Sequence, residues 1–207
     1  MRELHDYGVA HLYSVEDGQK LGLQGMINDM VARCDVDLAP LAPTSLDGLA
    51  AGDRRALAQV ITALENGAWP EAAKRALLEK AGSGGTAAVP VLGITGTGGA
   101  GKSSLTDELI RRMRLDQDDR LRIAVVSIDP SRRKSGGALL GDRIRMNAIG
   151  AVGKSAPVYM RSLATRDAGS EISKALPDVI AACKAAAFDL VVVETSGIGQ
   201  GDAAIVP

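Results

Sequence analysis

Residues 91–104 read Val91-Leu92-Gly93-Ile94-Thr95-Gly96-Thr97-Gly98-Gly99-Ala100-Gly101-Lys102-Ser103-Ser104. An apolar run of strand length leads into the spacing Gly-x4-Gly-Lys-Ser, and a helical pattern follows it. Glycines at these places let backbone N–H groups and the positive end of the following helix face an anion. We expect Lys102 to reach the β- and γ-phosphates and the Ser103 hydroxyl to bind Mg²⁺. The stretch therefore predicts a P-loop that binds a nucleoside triphosphate; the alternative is a glycine-rich turn without a ligand.

The composition and the periodicity around this stretch favour an α/β protein. Hydrophobic residues are 46% of the 207 residues and aromatic residues 2%, so Val, Ile, Leu and Ala must build the core, as in parallel sheets covered by helices. From Val89 onward strand and helix patterns alternate, which predicts a mostly parallel sheet of the P-loop NTPase type, truncated in this chain. The predicted strands are 89–95, 122–128, 158–161 and 190–194, and the predicted helices are 102–114, 142–149 and 170–187.

The residues before the sheet predict two further segments. A strand over 8–13 and a helix over 21–33 cannot fold alone, and they are typical of the last βα unit of a Rossmann-like domain. We therefore assign 1–38 to the remnant of such a domain, 39–88 to a helical linker and 89–207 to the first part of the P-loop domain. Within the linker the predicted features are a Thr44-Ser45 cap, a helix over 46–67, a helix from Trp69-Pro70 to Gly82 and a flexible joint at 83–86.

Charge and cysteine content exclude several functions. A formal net charge of -1 provides no basic field for a nucleic acid. Cys34 and Cys183 are too few and too far apart for a disulfide scaffold or a zinc site, which indicates a reducing cytoplasm. The sequence contains no apolar run that would target or span a membrane.

Acidic residues end two of the predicted strands. Asp129 follows the strand over 122–128, and Glu194 ends the strand over 190–194. Because parallel strands present their carboxyl ends at one edge, both carboxylates are expected beside the P-loop, where a hard cation requires them. Gly197 would let a backbone N–H approach the γ-phosphate. For Asp129 the alternative is an Asp-Pro turn, and the polar loop 131–137 with three cations favours the metal role.

Four further residues are candidates on weaker patterns. Asp142 could bind or orient the metal, and Arg145 or Arg143 could meet phosphate oxygens; the alternative is an ion pair on a solvated face. Gln200 could position the attacking water, and a polar loop residue is an equal alternative. The candidate catalytic residues are therefore Lys102, Asp142 and Gln200.

Four motifs together carry a family resemblance. They are residues 91–104, Ser127-Ile128-Asp129-Pro130-Ser131, Gly141-Asp142-Arg143-Ile144-Arg145-Met146 and Val193-Glu194-Thr195-Ser196-Gly197-Ile198-Gly199-Gln200. They closely resemble the G-protein chaperones of methylmalonyl-CoA mutase. With the N-terminal stretches 4–9 and 22–29, which look like the end of a cobalamin-binding domain, the whole chain is similar to a fragment of the fused isobutyryl-CoA mutases.

The resemblance implies a ligand set and a biological role. It implies that GTP phosphates contact Gly98, Gly99, Ala100, Gly101, Lys102, Ser103, Ser104, Arg145 and Gly197, and that Mg²⁺ is approached by Ser103, Asp129, Asp142, Glu194 and Thr195. It also implies a mutase partner that binds adenosylcobalamin and an acyl-CoA, a homodimer in the full-length form, and a GTPase that gates cofactor loading and protection of the mutase.

One departure keeps other functions open. No Asn-Lys-x-Asp motif for reading guanine occurs in the chain, so base specificity does not follow from its residues. A P-loop ATPase or small-molecule kinase, and a nucleotide-sensing docking module with little turnover, remain alternatives.

Overall fold

The structure of the chain is a computed structural model. It describes residues 2–129, 146–150, 157–165 and 172–195, and the chain divides into two compact units, Met1–Asp37 and Leu38–Pro207. The predicted site residues Asp142, Arg145, Gly197 and Gln200 lie outside the described residues. Among the described helices none is long and apolar enough to cross a membrane.

The first unit contains two helices, α1 (Arg2–Asp6) and α2 (Val15–Cys34). The α2 helix begins at a capping box of Ser14 and Asp17, and Gly22, at φ 63°, interrupts it. The predicted helix over 21–33 is therefore confirmed, and a preceding helical segment was missed.

The predicted strand over 8–13 is wrong. Nothing in the described part of the chain pairs with this segment as a strand. The polar groups near the segment instead bond locally, because the His5 ring lies 3.0 Å from the Val9 carbonyl oxygen and the Tyr13 hydroxyl donates to Asp29 at 2.6 Å. Alternating polarity forms a strand only where a neighbouring strand accepts its hydrogen bonds.

The second unit is built on a four-stranded parallel sheet, which confirms the α/β class. Its strands are β1 (Val91–Ile94), β2 (Ile123–Asp129), β3 (Val158–Ala164) and β4 (Leu190–Glu194), in the order β1-β4-β2-β3. The central strands are Val- and Ile-rich and buried, as expected for a sheet covered on both faces. At the edge, however, β1 leaves Val91 and Leu92 exposed.

Six described helices accompany this sheet. They are α3 (Asp47–Ala50), α4 (Arg54–Glu65), α5 (Glu71–Ala81), α6 (Gly84–Ala87), α7 (Lys102–Asp116) and α8 (Leu176–Ala185), and short 3₁₀ turns cover Ala39–Leu41 and Asn147–Ile149. The bounds of α5 and α7 match the predictions closely.

Three local predictions in this unit need correction. The joint at 83–86 forms most of α6. The helix over 46–67 is broken, and Asp53 caps its main part by accepting from the Arg55 and Ala56 N–H groups. The Ser45 hydroxyl instead accepts from the Asp47 N–H group at the start of α3. Residues 142–145 of the helix predicted over 142–149 lie outside the described residues, and Asn147–Ile149 form a 3₁₀ turn. In the described part, the helix predicted over 170–187 begins only at Leu176, where Pro177 suits the first turn.

The helices over 39–88 share a hydrophobic core cluster with the sheet. Leu57, Ile61 and Leu77 are fully buried in one core cluster with Val126 and Val193 of the sheet. Helices α4 and α8 thus cover one sheet face, α5 packs against α8, and α7 covers the other face. The helices over 39–88 and the sheet therefore lie within one compact unit, Leu38–Pro207.

Two arginines attach α4 to the edge strand β3. Arg54 Nη1 donates to the Val158 carbonyl oxygen at 2.7 Å. Arg161 Nη2 donates to Glu65 Oε2 at 2.6 Å and to Thr62 Oγ1 at 3.0 Å. Glu65 is 6% exposed, so this ion pair is largely shielded from water.

Candidate functional site

The P-loop lies at the carboxyl edge of the sheet, between β1 and α7. Gly99 and Gly101 have φ values of 79° and 84°, which residues with a Cβ adopt only at a cost. Gly101 is also the N-cap of α7 and has no side chain to cap it. The first N–H groups of a helix lack intrahelical acceptors, so this end of α7 is suited to an anion.

The Lys102 ammonium is folded over this loop. Its Nζ donates to the Gly96 carbonyl oxygen at 2.5 Å and to the Thr97 carbonyl oxygen at 3.0 Å. An ammonium is a mobile point charge with three donors, and it can exchange a carbonyl oxygen for a phosphate oxygen held by the loop. The Lys102 ammonium therefore lies at the loop where the sequence predicts a phosphate site.

A second contact joins the P-loop helix to the central strand β4. The Ser103 hydroxyl donates to Glu194 Oε1 at 2.5 Å, so these two predicted metal ligands are adjacent. Glu194 is 2% exposed, and its Oε2 is a buried oxygen without a hydrogen-bond partner among the described residues. Burying a carboxylate is costly unless a positive group compensates it.

Asp129 and Thr195 lie at the same edge of the sheet. β2 neighbours β4 with Ser127 in register with Glu194, so the chain reaches Asp129 two residues further along. Asp129 is 7% exposed and Thr195 2% exposed, and the Thr195 hydroxyl donates to Thr95 Oγ1 at 3.3 Å. The edge thus carries two buried carboxylates.

This donor set fits Mg²⁺. Mg²⁺ prefers oxygen ligands and is held by one or two carboxylates together with waters and substrate phosphates, rather than by a complete protein cage. The Ser103 hydroxyl and the buried Glu194 oxygen would face the metal, and Asp129 would complete the set from β2.

Two threonines at this edge were missed by the sequence reasoning. Thr165 follows β3, is 3% exposed, and its N–H donates to the Asp129 carbonyl oxygen at 3.1 Å. Thr95 follows β1 and accepts from Thr195. The rule that polar residues following parallel strands share one edge would have identified both.

Comparison with known proteins agrees with this geometry. A family model described as Methylmalonyl Co-A mutase-associated GTPase MeaB matches residues 57–207. The match begins within α4, so it includes most of α4, all of α5 and α6, and the sheet.

The similar proteins include fused mutases and a shorter protein named as a GTPase. Fused isobutyryl-CoA mutase of Cupriavidus metallidurans is 73% identical over 207 residues, which cover 100% of this chain and 18% of that protein. Its counterpart in Geobacillus kaustophilus is 54% identical, with 99% of this chain and 19% of that protein covered. The shorter protein, named a putative GTPase of Pyrococcus horikoshii, is 40% identical over 161 residues, which cover 78% of this chain and 48% of that protein.

The chain thus spans less than half the length of each of these relatives. The family match nevertheless extends over most of the chain, and it includes the P-loop, both buried carboxylates and the strands that carry them. This chain belongs to the family of methylmalonyl-CoA mutase-associated GTPases.

Proposed function

We propose that this chain is the phosphate-binding part of an Mg²⁺-dependent GTP hydrolase that serves an adenosylcobalamin-dependent acyl-CoA mutase. The observation that carries the proposal is the contact between Ser103 and Glu194, which brings a P-loop hydroxyl to a buried carboxylate on the neighbouring strand. Lys102 and the N-terminal end of α7 supply the positive charge for the phosphates.

The chemistry assigned to the chain's own residues is positioning and charge compensation. The loop backbone and Lys102 bind the triphosphate, and Ser103, Glu194 and Asp129 would hold Mg²⁺. When bound, Mg²⁺ would offset the negative charge that develops on the phosphates. The same proposal assigns Asp142 to the metal, Arg145 and Gly197 to the nucleotide and Gln200 to the attacking water.

The proposed biological role is a gate on cofactor loading and protection of the mutase. It is supported by family membership and by the similarity of the whole chain to fused isobutyryl-CoA mutases. On this proposal residues 1–38 are the end of a cobalamin-binding domain, the whole protein isomerises isobutyryl-CoA and n-butyryl-CoA, and it forms a homodimer in the cytoplasm.

Loss of the Lys102 charge tests the site. We expect Lys102→Ala to weaken binding of a fluorescent GTP analogue to the intact protein by about 10-fold or more, because a hydrogen bond to a charged group contributes roughly 1.5–3 kcal/mol. Arg112→Ala is the matched control, since Arg112 lies on the same helix with a side chain 67% exposed. Equal affinity of the two variants for the analogue would contradict the assignment.

A further inference from the structure

The apolar side chains of the described strands divide into two sets, one on each face of the sheet. Val126 and Val193 belong to the core cluster of α4 and α8, whereas Val125 and Val192 belong to the cluster that contains Ile110 of α7. Successive residues of a strand point to opposite faces, and the two sets follow this alternation. The same alternation therefore assigns each polar residue at the carboxyl edge to one face.

Both buried carboxylates lie on the face that α7 covers. Glu194 is two residues beyond Val192 on β4, so the two side chains share a face, and Glu194 contacts Ser103 of α7 there. Asp129 is four residues beyond Val125 on β2, so it lies on this face as well. The three side chains proposed to hold Mg²⁺ thus belong to one face of the sheet.

Two threonines lie on the opposite face at the same edge. Thr195 is two residues beyond Val193, and Thr95 lies beside it because Ile94 and Glu194 are in register. The Thr195 hydroxyl donates to Thr95 Oγ1 at 3.3 Å, and the Thr195 N–H donates to the Ile94 carbonyl oxygen at 3.1 Å. We call Thr95 and Thr195 the threonine pair, which joins the ends of β1 and β4.

The alignment of these two strand ends controls the contact between Ser103 and Glu194. The chain reaches Ser103 from β1 through the P-loop, whereas Glu194 belongs to β4. The distance between the hydroxyl and the carboxylate therefore depends on how the end of β1 lies against the end of β4. Among the described strands, β4 is the only one that pairs with β1, so the bonds between these two strands set that alignment.

We propose that the threonine pair positions Ser103 and Glu194 for Mg²⁺, and that Thr195 is a positioning residue rather than a metal ligand. The Thr195 side chain lies on the face opposite Glu194, and its hydroxyl is engaged with Thr95. The proposal gives Thr195 a different role from the metal contact that the family resemblance implies. The inference rests on the proposed function.

A double-mutant cycle on the intact protein tests the proposal by binding rather than by turnover. The readout is the affinity for a fluorescent, non-hydrolysable GTP analogue with Mg²⁺, divided by the affinity with the metal chelated. Thr95→Val and Thr195→Val each remove one hydroxyl and keep the branched shape, and we expect each to lower this ratio about fivefold, the size of one neutral hydrogen bond. The double variant should be no worse than either single variant, because all three lose the same contact.

Conservative and surface variants provide the controls. Thr95→Ser and Thr195→Ser keep the hydroxyl, and we expect the ratio to stay within about twofold of that of the parent protein. Thr44→Val is the matched control, since it makes the same substitution at an exposed threonine before α3. Affinity with the metal chelated should be unchanged in every variant, because Lys102 and the glycines of the loop are retained.

The outcomes separate this inference from the proposed function. A parent protein that does not bind the GTP analogue would overturn the proposed function, and the inference with it. A lower ratio in Thr195→Val together with a normal ratio in Thr95→Val would identify Thr195 as a metal ligand and overturn the inference alone. Additive losses in the double variant, or equal losses of affinity with and without Mg²⁺, would overturn it too. If Thr195→Val fails to fold, an unchanged ratio in Thr95→Val decides against the proposal.

Discussion

The buried carboxylate of Glu194 gives a prediction with two opposite effects. Glu194 is 2% exposed; Oε1 accepts from the Ser103 hydroxyl at 2.5 Å, and Oε2 has no hydrogen-bond partner in the part of the chain that the structure describes. Glu194→Gln keeps the shape and one acceptor oxygen but removes the charge. We expect the metal-free protein to keep or slightly gain thermal stability, because an unpaired buried charge is removed.

The same substitution should weaken Mg²⁺ binding. A hydrogen bond or contact to a charged group contributes roughly 1.5–3 kcal/mol, so we expect the half-saturating Mg²⁺ concentration for GTP hydrolysis to rise about 10-fold or more. The assay is a Mg²⁺ titration of GTP hydrolysis by the intact protein, together with the midpoint of thermal unfolding without Mg²⁺. Glu108→Gln is the control, since it removes one carboxylate that is 42% exposed on α7.

Two results would refute this reasoning. An unchanged Mg²⁺ requirement in Glu194→Gln would show that the carboxylate does not serve the metal. A loss of thermal stability as large as that of a core substitution would show that the Ser103–Glu194 contact mainly holds the fold together.

Two further predictions concern helix α4 and the two cysteine thiols. Arg161→Met leaves the Glu65 carboxylate buried without its ion-pair partner, so the free energy of opening of α4, measured by hydrogen exchange, should fall by about 3 kcal/mol. Adding Glu65→Leu should recover part of this loss, and no recovery would contradict the ion-pair argument. Burial raises the pKa of the Cys183 thiol to about 12, so at pH 8 it stays protonated and shielded, whereas Cys34 is exposed. Iodoacetamide followed by peptide mass analysis should therefore modify Cys34 and spare Cys183 until the protein is unfolded.

The sheet, the P-loop and the sheet edge that carries Asp129 and Glu194 follow from local patterns. Apolar runs of strand length predicted β2 and β4, and the Gly-x4-Gly-Lys-Ser spacing predicted both the loop and the start of α7 at Lys102. The positions of Asp129 and Glu194 then follow from geometry, because parallel strands end at one edge.

The errors arise where the structure is decided by contacts that the residue pattern does not mark. Residues 8–13 have a strand pattern, but a strand depends on a neighbour that a local pattern does not reveal. The segment 83–86 is rich in Gly and Ser, which favours a flexible joint, yet most of it lies in the short helix α6. The Thr86 hydroxyl holds this helix by donating to the Lys80 and Ser83 carbonyl oxygens. The hydrogen bond from the Ala148 N–H to the Asp107 side chain spans 41 residues and involves the backbone of an alanine, so no sequence motif marks it.

The most direct test of the central claim compares GTP and ATP hydrolysis by the intact protein, each with Mg²⁺ and with the metal chelated. We predict Mg²⁺-dependent hydrolysis of GTP in clear preference to ATP, without transfer of phosphate to a second substrate. Equal hydrolysis of the two nucleotides, or hydrolysis that persists without Mg²⁺, would contradict the assignment of this chain to an Mg²⁺-dependent GTPase.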